Sequence, residues 1–172
     1  MWSEELLEQF VILASQELSG DWVLCGASVL PLLGINTRTT WDIDLYGMND
    51  QSQSEIMKLM DLVGSLGVPA ECINVSGGYY LSKTPNFSEH LVLLQESQAK
   101  IYRPDFYLFS QLKLKRFSEV DLLDCQELFK KEAATNPQLI NLTRELLVKE
   151  LSQISHPEKA KRVVQFMQYL NN

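Results

Sequence analysis

Between Ser3 and Leu18 the apolar residues Leu6, Leu7, Phe10, Val11, Ala14 and Leu18 recur at the spacing of one helix face, with Glu4 and Glu5 in the first turn and Gly20 just past the end. That pattern predicts an amphipathic helix. Trp22-Val23-Leu24-Cys25 is short and continuously apolar, and Gly26 stops it, which predicts a buried strand running into a turn. Ser28 to Leu33 predicts a short helix closed by Gly34. From Thr39 to Tyr46 the period changes to two: Asp42 and Asp44 share one face of a predicted strand, and Ile43 and Leu45 share the other. Ser54 is placed to cap a helix running to Leu66, with Ile56, Leu59, Met60, Val63 and Leu66 inward and Gly67 closing it. Glu71 to Val75, Leu91 to Gln95 and Lys100 to Arg103 predict short strands, separated by a Ser76-Gly77-Gly78 turn and a polar loop with Pro85 and Asn86.

Past Pro104 every periodic segment is helical. Pro104-Asp105 opens a helix to about Arg116, Ser118 caps another to about Lys131, Asn136-Pro137 starts a third, and His156-Pro157 a fourth to Leu170. The fold class predicted is α+β: a small mixed β-sheet core flanked by helices over residues 1–103, with a helical C-terminal part over 104–172 packed on it as one compact unit. No internal repeat or low-complexity tract interrupts this order.

Length and composition narrow the function classes. A chain of 172 residues with 45% hydrophobic and 22% charged residues is about one domain's worth and buries a sizeable core. Its apolar runs fall well short of the roughly 20 residues that cross a bilayer, so no membrane partner is expected. The start, Met1-Trp2-Ser3-Glu4-Glu5, lacks the basic and apolar segments of a secretory signal, and a cytoplasmic chain is expected. Cys25, Cys72 and Cys125 are widely spaced within apolar segments, as buried reduced thiols are, and do not form a disulfide or zinc pattern. A net charge of −7 disfavours non-specific nucleic-acid binding, so a polyanion partner needs a local basic patch. Lys113, Lys115 and Arg116 with Lys159, Lys161 and Arg162 are the candidates for such a patch, and solvated helix faces are the competing explanation. Tyr79-Tyr80 and Phe106-Tyr107 are either base-stacking pairs or core. His90 and His156 are isolated, in a loop and at a helix cap.

Three stretches carry candidate chemistry. Asp42-Ile43-Asp44 sets two carboxylates about 6 to 7 Å apart along a strand face, where they can converge on a divalent ion. Burial of Ile43 and Leu45 forces both acids outward, and their repulsion calls for a cation or a basic partner. Gly26-Ala27-Ser28 follows the first strand: the glycine lets backbone approach a ligand, the following helix offers free N–H groups to a phosphate, and Ser28 adds a hydroxyl. Arg38, beside Thr39 and Thr40, either contacts a triphosphate or neutralises the aspartates. Lys113 precedes Asp121, which shares a helix face with Asp124, across a break between two helices.

Together these stretches resemble the nucleotidyltransferase superfamily with the polymerase-β-like fold, and most closely its small bacterial branch related to abortive-infection type nucleotidyltransferase toxins. In that branch a Gly-Gly-Ala-like turn leads to Arg-x-Thr-x-Asp-Ile-Asp-Leu, and a later helix carries Lys-Leu, Arg and Lys-Asp-x-x-Asp. Here the matching residues are Cys25-Gly26-Ala27-Ser28, Arg38-Thr39-Thr40-Trp41-Asp42-Ile43-Asp44-Leu45, and Lys113-Leu114 with Arg116, Asp121 and Asp124. Ile73-Asn74 after a Gly-Val-Pro loop is similar to the middle of the family, so the resemblance spans Trp22 to Phe129.

The resemblance implies a metal-dependent nucleotidyltransferase. Asp42 and Asp44 would hold Mg²⁺ or Mn²⁺, and Gly26, Ala27, Ser28, Arg38 and Thr40 would bind a nucleoside triphosphate. Lys113 would stabilise charge at the α-phosphate, and Asp121 would orient Lys113 or take the acceptor's proton. The acceptor is an RNA end, a protein hydroxyl or a small molecule, and a toxin–antitoxin setting implies a protein partner such as an antitoxin. Two departures stand out: Ala27 replaces the second glycine or serine of the turn, and the spacing of sixteen residues from Gly26 to Asp42 (42 − 26) is a little long for the wider superfamily though acceptable for the small branch. The third strand carboxylate of larger relatives has only Glu71 as its counterpart, with Asp121 favoured by the small-branch pattern and Asp124 beside it. Two rival readings remain, a non-catalytic member that binds a nucleotide or a partner, and a sugar-nucleotide glycosyltransferase, for which 172 residues is short.

Overall fold

The computed structural model describes residues 2–36 and 40–171. The chain is an α+β protein that divides into two compact units, Met1–Pro104 and Asp105–Asn172. In the first unit, helix α1 (Glu4–Glu17) starts at Ser3, whose hydroxyl accepts from the Leu6 N–H at 3.2 Å. Leu7, Phe10, Val11 and Ala14 line its buried face. Strands β1 (Gly20–Cys25), β2 (Ile43–Gly47), β3 (Ile73–Asn74), β4 (Leu91–Glu96) and β5 (Ala99–Pro104) form one sheet in the order β3-β2-β1-β5-β4. β1 runs antiparallel to β2 and parallel to β5, β3 runs parallel to β2, and β4 antiparallel to β5. Central β1 buries Trp22 to Cys25 without a break, as a strand covered on both faces does. β2 alternates instead, with Ile43 and Leu45 buried and Asp44 and Tyr46 partly exposed. After β1, a 3₁₀ turn (Gly26–Ser28) leads into the short helix α2 (Val29–Leu32).

Local hydrogen bonding moves several expected boundaries. β2 begins only at Ile43; upstream of it Thr40 makes a single bridge to Trp2, so Asp42 precedes the strand and does not belong to it. The helix expected from Ser54 starts earlier and in two pieces, α3 (Asp50–Ser54) and α4 (Ile56–Ser65). Its cap is Asn49, whose side chain accepts from the Ser52 N–H at 2.9 Å while the Ser52 hydroxyl accepts from the Asn49 N–H at 3.1 Å. Ser54, already helical, turns its hydroxyl back to the Gln51 carbonyl at 2.8 Å. Glu71 lies in a 3₁₀ turn (Ala70–Cys72), which leaves β3 only two residues long. The expected Ser76-Gly77-Gly78 turn is a 3₁₀ turn (Val75–Gly77) followed by the short helix α5 (Gly78–Ser82). His90 closes another 3₁₀ turn, Phe87–His90.

The second unit is helical: α6 (Phe106–Lys113), α7 (Glu119–Leu128) continuing through a π-helical turn to Ala133, α8 (Pro137–Leu151) and α9 (Pro157–Tyr169). Asp105 caps α6 and Asn136 caps α8 through side-chain oxygens, whereas His156 holds the cap position of α9 without a capping hydrogen bond. Phe166 packs its ring 6.2 Å from that of Phe106 and 5.9 Å from that of Phe117, all three fully buried. In the connection between α6 and α7, Phe117 adopts the left-handed region, φ 51°, where glycine is the usual residue and a side chain costs about 1–2 kcal/mol. Burial of its ring, and its carbonyl accepting from Arg162 Nε at 2.6 Å, offset that strain. Among the described residues no helix is long and apolar enough to cross a membrane.

Because Phe166 fills the space between Phe106 and Phe117, Phe166→Ala should destabilise the protein by about 3–5 kcal/mol. Urea unfolding followed by circular dichroism checks this, and a loss below about 1 kcal/mol would contradict the packing described.

Candidate functional site

The register of β1 on β2 determines what meets at the end of the central strand. Cys25, the last residue of β1, lies opposite Asp44, and the chain then turns at Gly26 with φ 68°. A Cβ on Gly26 would collide with Oδ2 of Asp44, so both the backbone conformation and the carboxylate's position require glycine. On its other side Asp44 lies opposite Asn74 of β3. The Asn74 amide donates to Asp44 Oδ1 at 2.7 Å, while its own oxygen accepts from the Ser76 N–H at 3.0 Å. One half-buried carboxylate is thus held between the turn after β1 and the end of β3.

The other predicted residues of this unit divide into those near that carboxylate and those committed elsewhere. Asp42 is exposed, two residues before Asp44, and its carbonyl accepts from the Thr40 hydroxyl at 3.0 Å. Gly26 and Ala27 are part-exposed in the turn. Ser28 is fully buried and donates to the Cys25 carbonyl at 2.9 Å, a bond that shapes the turn. Arg38 lies outside the described residues. Glu71 is exposed in its 3₁₀ turn and does not share the sheet with Asp44. Burial, and then the charge of Asp44, push the Cys25 thiol up to about 12, which keeps it protonated and unreactive beside the acidic site. Among the described residues no three or more His, Cys, Asp or Glu side chains gather as a metal cage. Asn74 is the positioning residue that sequence pattern alone did not single out: an amide ending a strand just before Ser-Gly-Gly was the available signal.

α5 lies against the same strand. A Cβ on Gly78 would collide with the ring of Tyr46, two residues along β2 from Asp44. Tyr79 and Tyr80 are solvent-exposed at 57% and 54%, so they are not core residues. Their rings meet edge to face at 5.4 Å, and Lys83 donates to the Tyr79 hydroxyl.

In the helical unit, Lys113, Arg116, Asp121 and Asp124 form a closed charge network. Lys113 Nζ donates to Asp121 Oδ1 at 3.2 Å and to Asp124 Oδ2 at 2.8 Å, and both carboxylates are only 1% exposed. Arg116 grips Asp121 with Nε and Nη2, each at 3.0 Å. Ser118 adds its backbone N–H at 2.9 Å and its hydroxyl at 2.8 Å to Oδ2. Two cations and two carboxylates cancel, which is how a buried charge is tolerated. Burial alone would push the Asp121 carboxyl up, but the hydrogen bonds from Arg116 and Ser118 and the charge of Lys113 outweigh it and hold the carboxyl well below the usual carboxylate range. A carboxylate this saturated orients its neighbours and is a poor proton acceptor. Of the basic residues considered for an RNA patch, Arg116 pairs with Asp121, Lys159 donates to Glu150 at 2.6 Å, and Arg162 caps Phe117.

Compared with known proteins, the chain matches no family model, no curated protein and no solved structure.

Gly26→Ala should destabilise the protein by about 1–3 kcal/mol, because it combines a disfavoured φ with the collision against Asp44; an unchanged urea midpoint would contradict the geometry. Asp121→Asn should destabilise by about 1–3 kcal/mol, since it weakens the hydrogen bonds at the start of α7 while Lys113 keeps Asp124 and Arg116 is already solvent-exposed. As the Asp121 carboxyl is held below its unfolded-state value of about 4, its stabilisation is complete above that pH and is lost as the pH falls further. Unfolding curves between pH 7 and 2 check this: the variant should lack the acid-side loss attributable to this group, and parallel profiles would contradict it.

Proposed function

We propose that the protein is a metal-dependent nucleotidyltransferase that moves a nucleoside monophosphate from a nucleoside triphosphate to a hydroxyl acceptor. The observation that carries this reading is the glycine turn after the central strand packed directly on the Asp44 carboxylate, with Asp42 exposed beside it. Phosphates approach closely only where no side chain intervenes, and an acidic pair next to such a turn brings a cation to the same place. Asp42 and Asp44 suit Mg²⁺ or Mn²⁺: the donors are hard oxygens, and two carboxylates at an accessible sheet end leave the remaining ligands to water and phosphate oxygens, the usual arrangement for Mg²⁺ at a nucleotide. When bound, the cation supplies charge neutralisation on the phosphates.

The chain's own residues do the positioning. Gly26 and Ala27 offer backbone to the phosphates, and Asn74 fixes the Asp44 carboxylate through Oδ1. Ser28 supports the turn from beneath, and Thr40 holds the backbone at Asp42. Lys113 has three donors, of which Asp121 and Asp124 take two. Asp121 and Asp124 orient the ammonium within the helical unit, and its third donor is suited to a phosphate oxygen. The acceptor, whether RNA, protein or small molecule, and an antitoxin-like protein partner belong to this same proposal, as does a cytoplasmic location.

A second reading, a nucleotide- or partner-binding protein of the same fold without catalysis, draws support from Ser28 and Asp121. The one hydroxyl of the turn is buried, and the helix carboxylate is saturated with donors, which leaves no evident base.

Incubation with each α-phosphate-labelled nucleoside triphosphate, Mg²⁺ and a bacterial extract separates the two. The transferase reading expects label on an acceptor with the wild type and a loss of at least about a hundredfold in the Asp42→Asn/Asp44→Asn double variant. Equal labelling by both proteins, or no labelling by the wild type, would overturn it.

A further inference from the structure

The alternation through Ile43 and Leu45 would place Trp41 inward, on the apolar face of β2. Instead Trp41 is 63% exposed, while Ile43 and Leu45 are buried. The cause is local. Trp2 donates its N–H to the Thr40 carbonyl at 3.2 Å in an isolated antiparallel bridge, and the Thr40 hydroxyl donates to the Asp42 carbonyl at 3.0 Å. Those two bonds hold the backbone on either side of Trp41, and regular strand begins only at Ile43, so Trp41 and Asp42 are exposed in succession. A large aromatic side chain is therefore presented to solvent from a fixed stretch of backbone, immediately before the first aspartate of the acidic pair.

Leaving an indole in water forgoes the burial that its size would bring, and a planar ligand recovers it. We propose that Trp41 is the stacking platform for the base of a nucleoside triphosphate whose phosphates lie at the Gly26 turn and the Asp42–Asp44 pair. The proposal rests on the nucleotide reading of that pair and adds the residue that recognises the base. Trp41 and Asp42 are consecutive exposed residues, so the ring and the carboxylate leave the same stretch of backbone. A stacking face accepts every base, which predicts modest discrimination among the four triphosphates and a clear preference for any of them over tripolyphosphate.

The protein offers a direct optical probe. Of its three tryptophans, Trp2 is 3% exposed and Trp22 is 1% exposed, so solvent-accessible indole fluorescence arises from Trp41. The test titrates the full-length protein with ATP, GTP, CTP, UTP and tripolyphosphate in Mg²⁺, following fluorescence and, independently, binding by calorimetry, in wild type, Trp41→Ala, Trp41→Phe and Asp44→Asn. The expected result is quenching by all four triphosphates and not by tripolyphosphate. Trp41→Ala should weaken triphosphate binding about tenfold, down to the level of tripolyphosphate, with substantial recovery in Trp41→Phe. Equal calorimetric affinity of wild type and Trp41→Ala for the triphosphates would overturn the stacking role while leaving the phosphate site standing. No binding of either ligand class by the wild type, or binding indifferent to Asp44→Asn, would overturn the phosphate site and the platform together.

Discussion

The antiparallel register that sets Cys25 opposite Asp44 is the constraint on which the candidate site depends. Ile43 and Leu45 are buried to 0% and 1% exposure, and a one-residue slip of β2 would turn both outward and drive Asp44 into the core. The hydrophobic effect therefore fixes the position of an acid it does not itself touch. With the register set, the turn after β1 must come down on the carboxylate, and only a residue without a Cβ fits there. Asn74 then completes the arrangement from β3, so three strands and one glycine together define where Asp44 points.

The helical unit places its charges by a different logic. Asp121 first serves α7 as half of a capping box with Ser118, and that local role brings its carboxylate to the helix start, within reach of Lys113 and Arg116. Asp124, one turn further on, shares Lys113. The network is neutral and fully hydrogen-bonded at Asp121, which leaves it rigid and ionised through the physiological range. The network fixes the direction of Lys113 and is a poor exchanger of protons. The strained backbone at Phe117 sits in the same connection, held by the aromatic core on one side and Arg162 on the other.

Much of this was legible in the sequence, for identifiable reasons. The α1 stripe, the continuous apolar run of β1 and the period-two pattern through Ile43 and Leu45 each report burial directly, and Asp105, Ser118 and Asn136 carry caps whose chemistry is local. What was not legible depended on partners distant in sequence or on competition between nearby polar groups. Asn49 outcompeted Ser54 as a cap because Ser52 could reciprocate. Glu71 lies in a 3₁₀ turn where a strand was expected, and the period-two pattern begins only at Ile43, after an isolated bridge from Thr40 to Trp2. The glycine turn and the acidic pair were visible as motifs, but the role of Asn74 between them required the parallel pairing of β3 with β2.

The measurement that bears most directly on the central claim is Mn²⁺ titration of the isotope-labelled protein, with a non-hydrolysable nucleoside triphosphate present, followed by paramagnetic broadening of backbone amide resonances. The account predicts that the amides of Gly26, Ala27, Asp42, Asp44 and Asn74 broaden first and together, and that Asp44→Asn abolishes the effect. Broadening that begins at another acidic part of the surface, or that spreads without preference for the end of β1 and the start of β2, would contradict it.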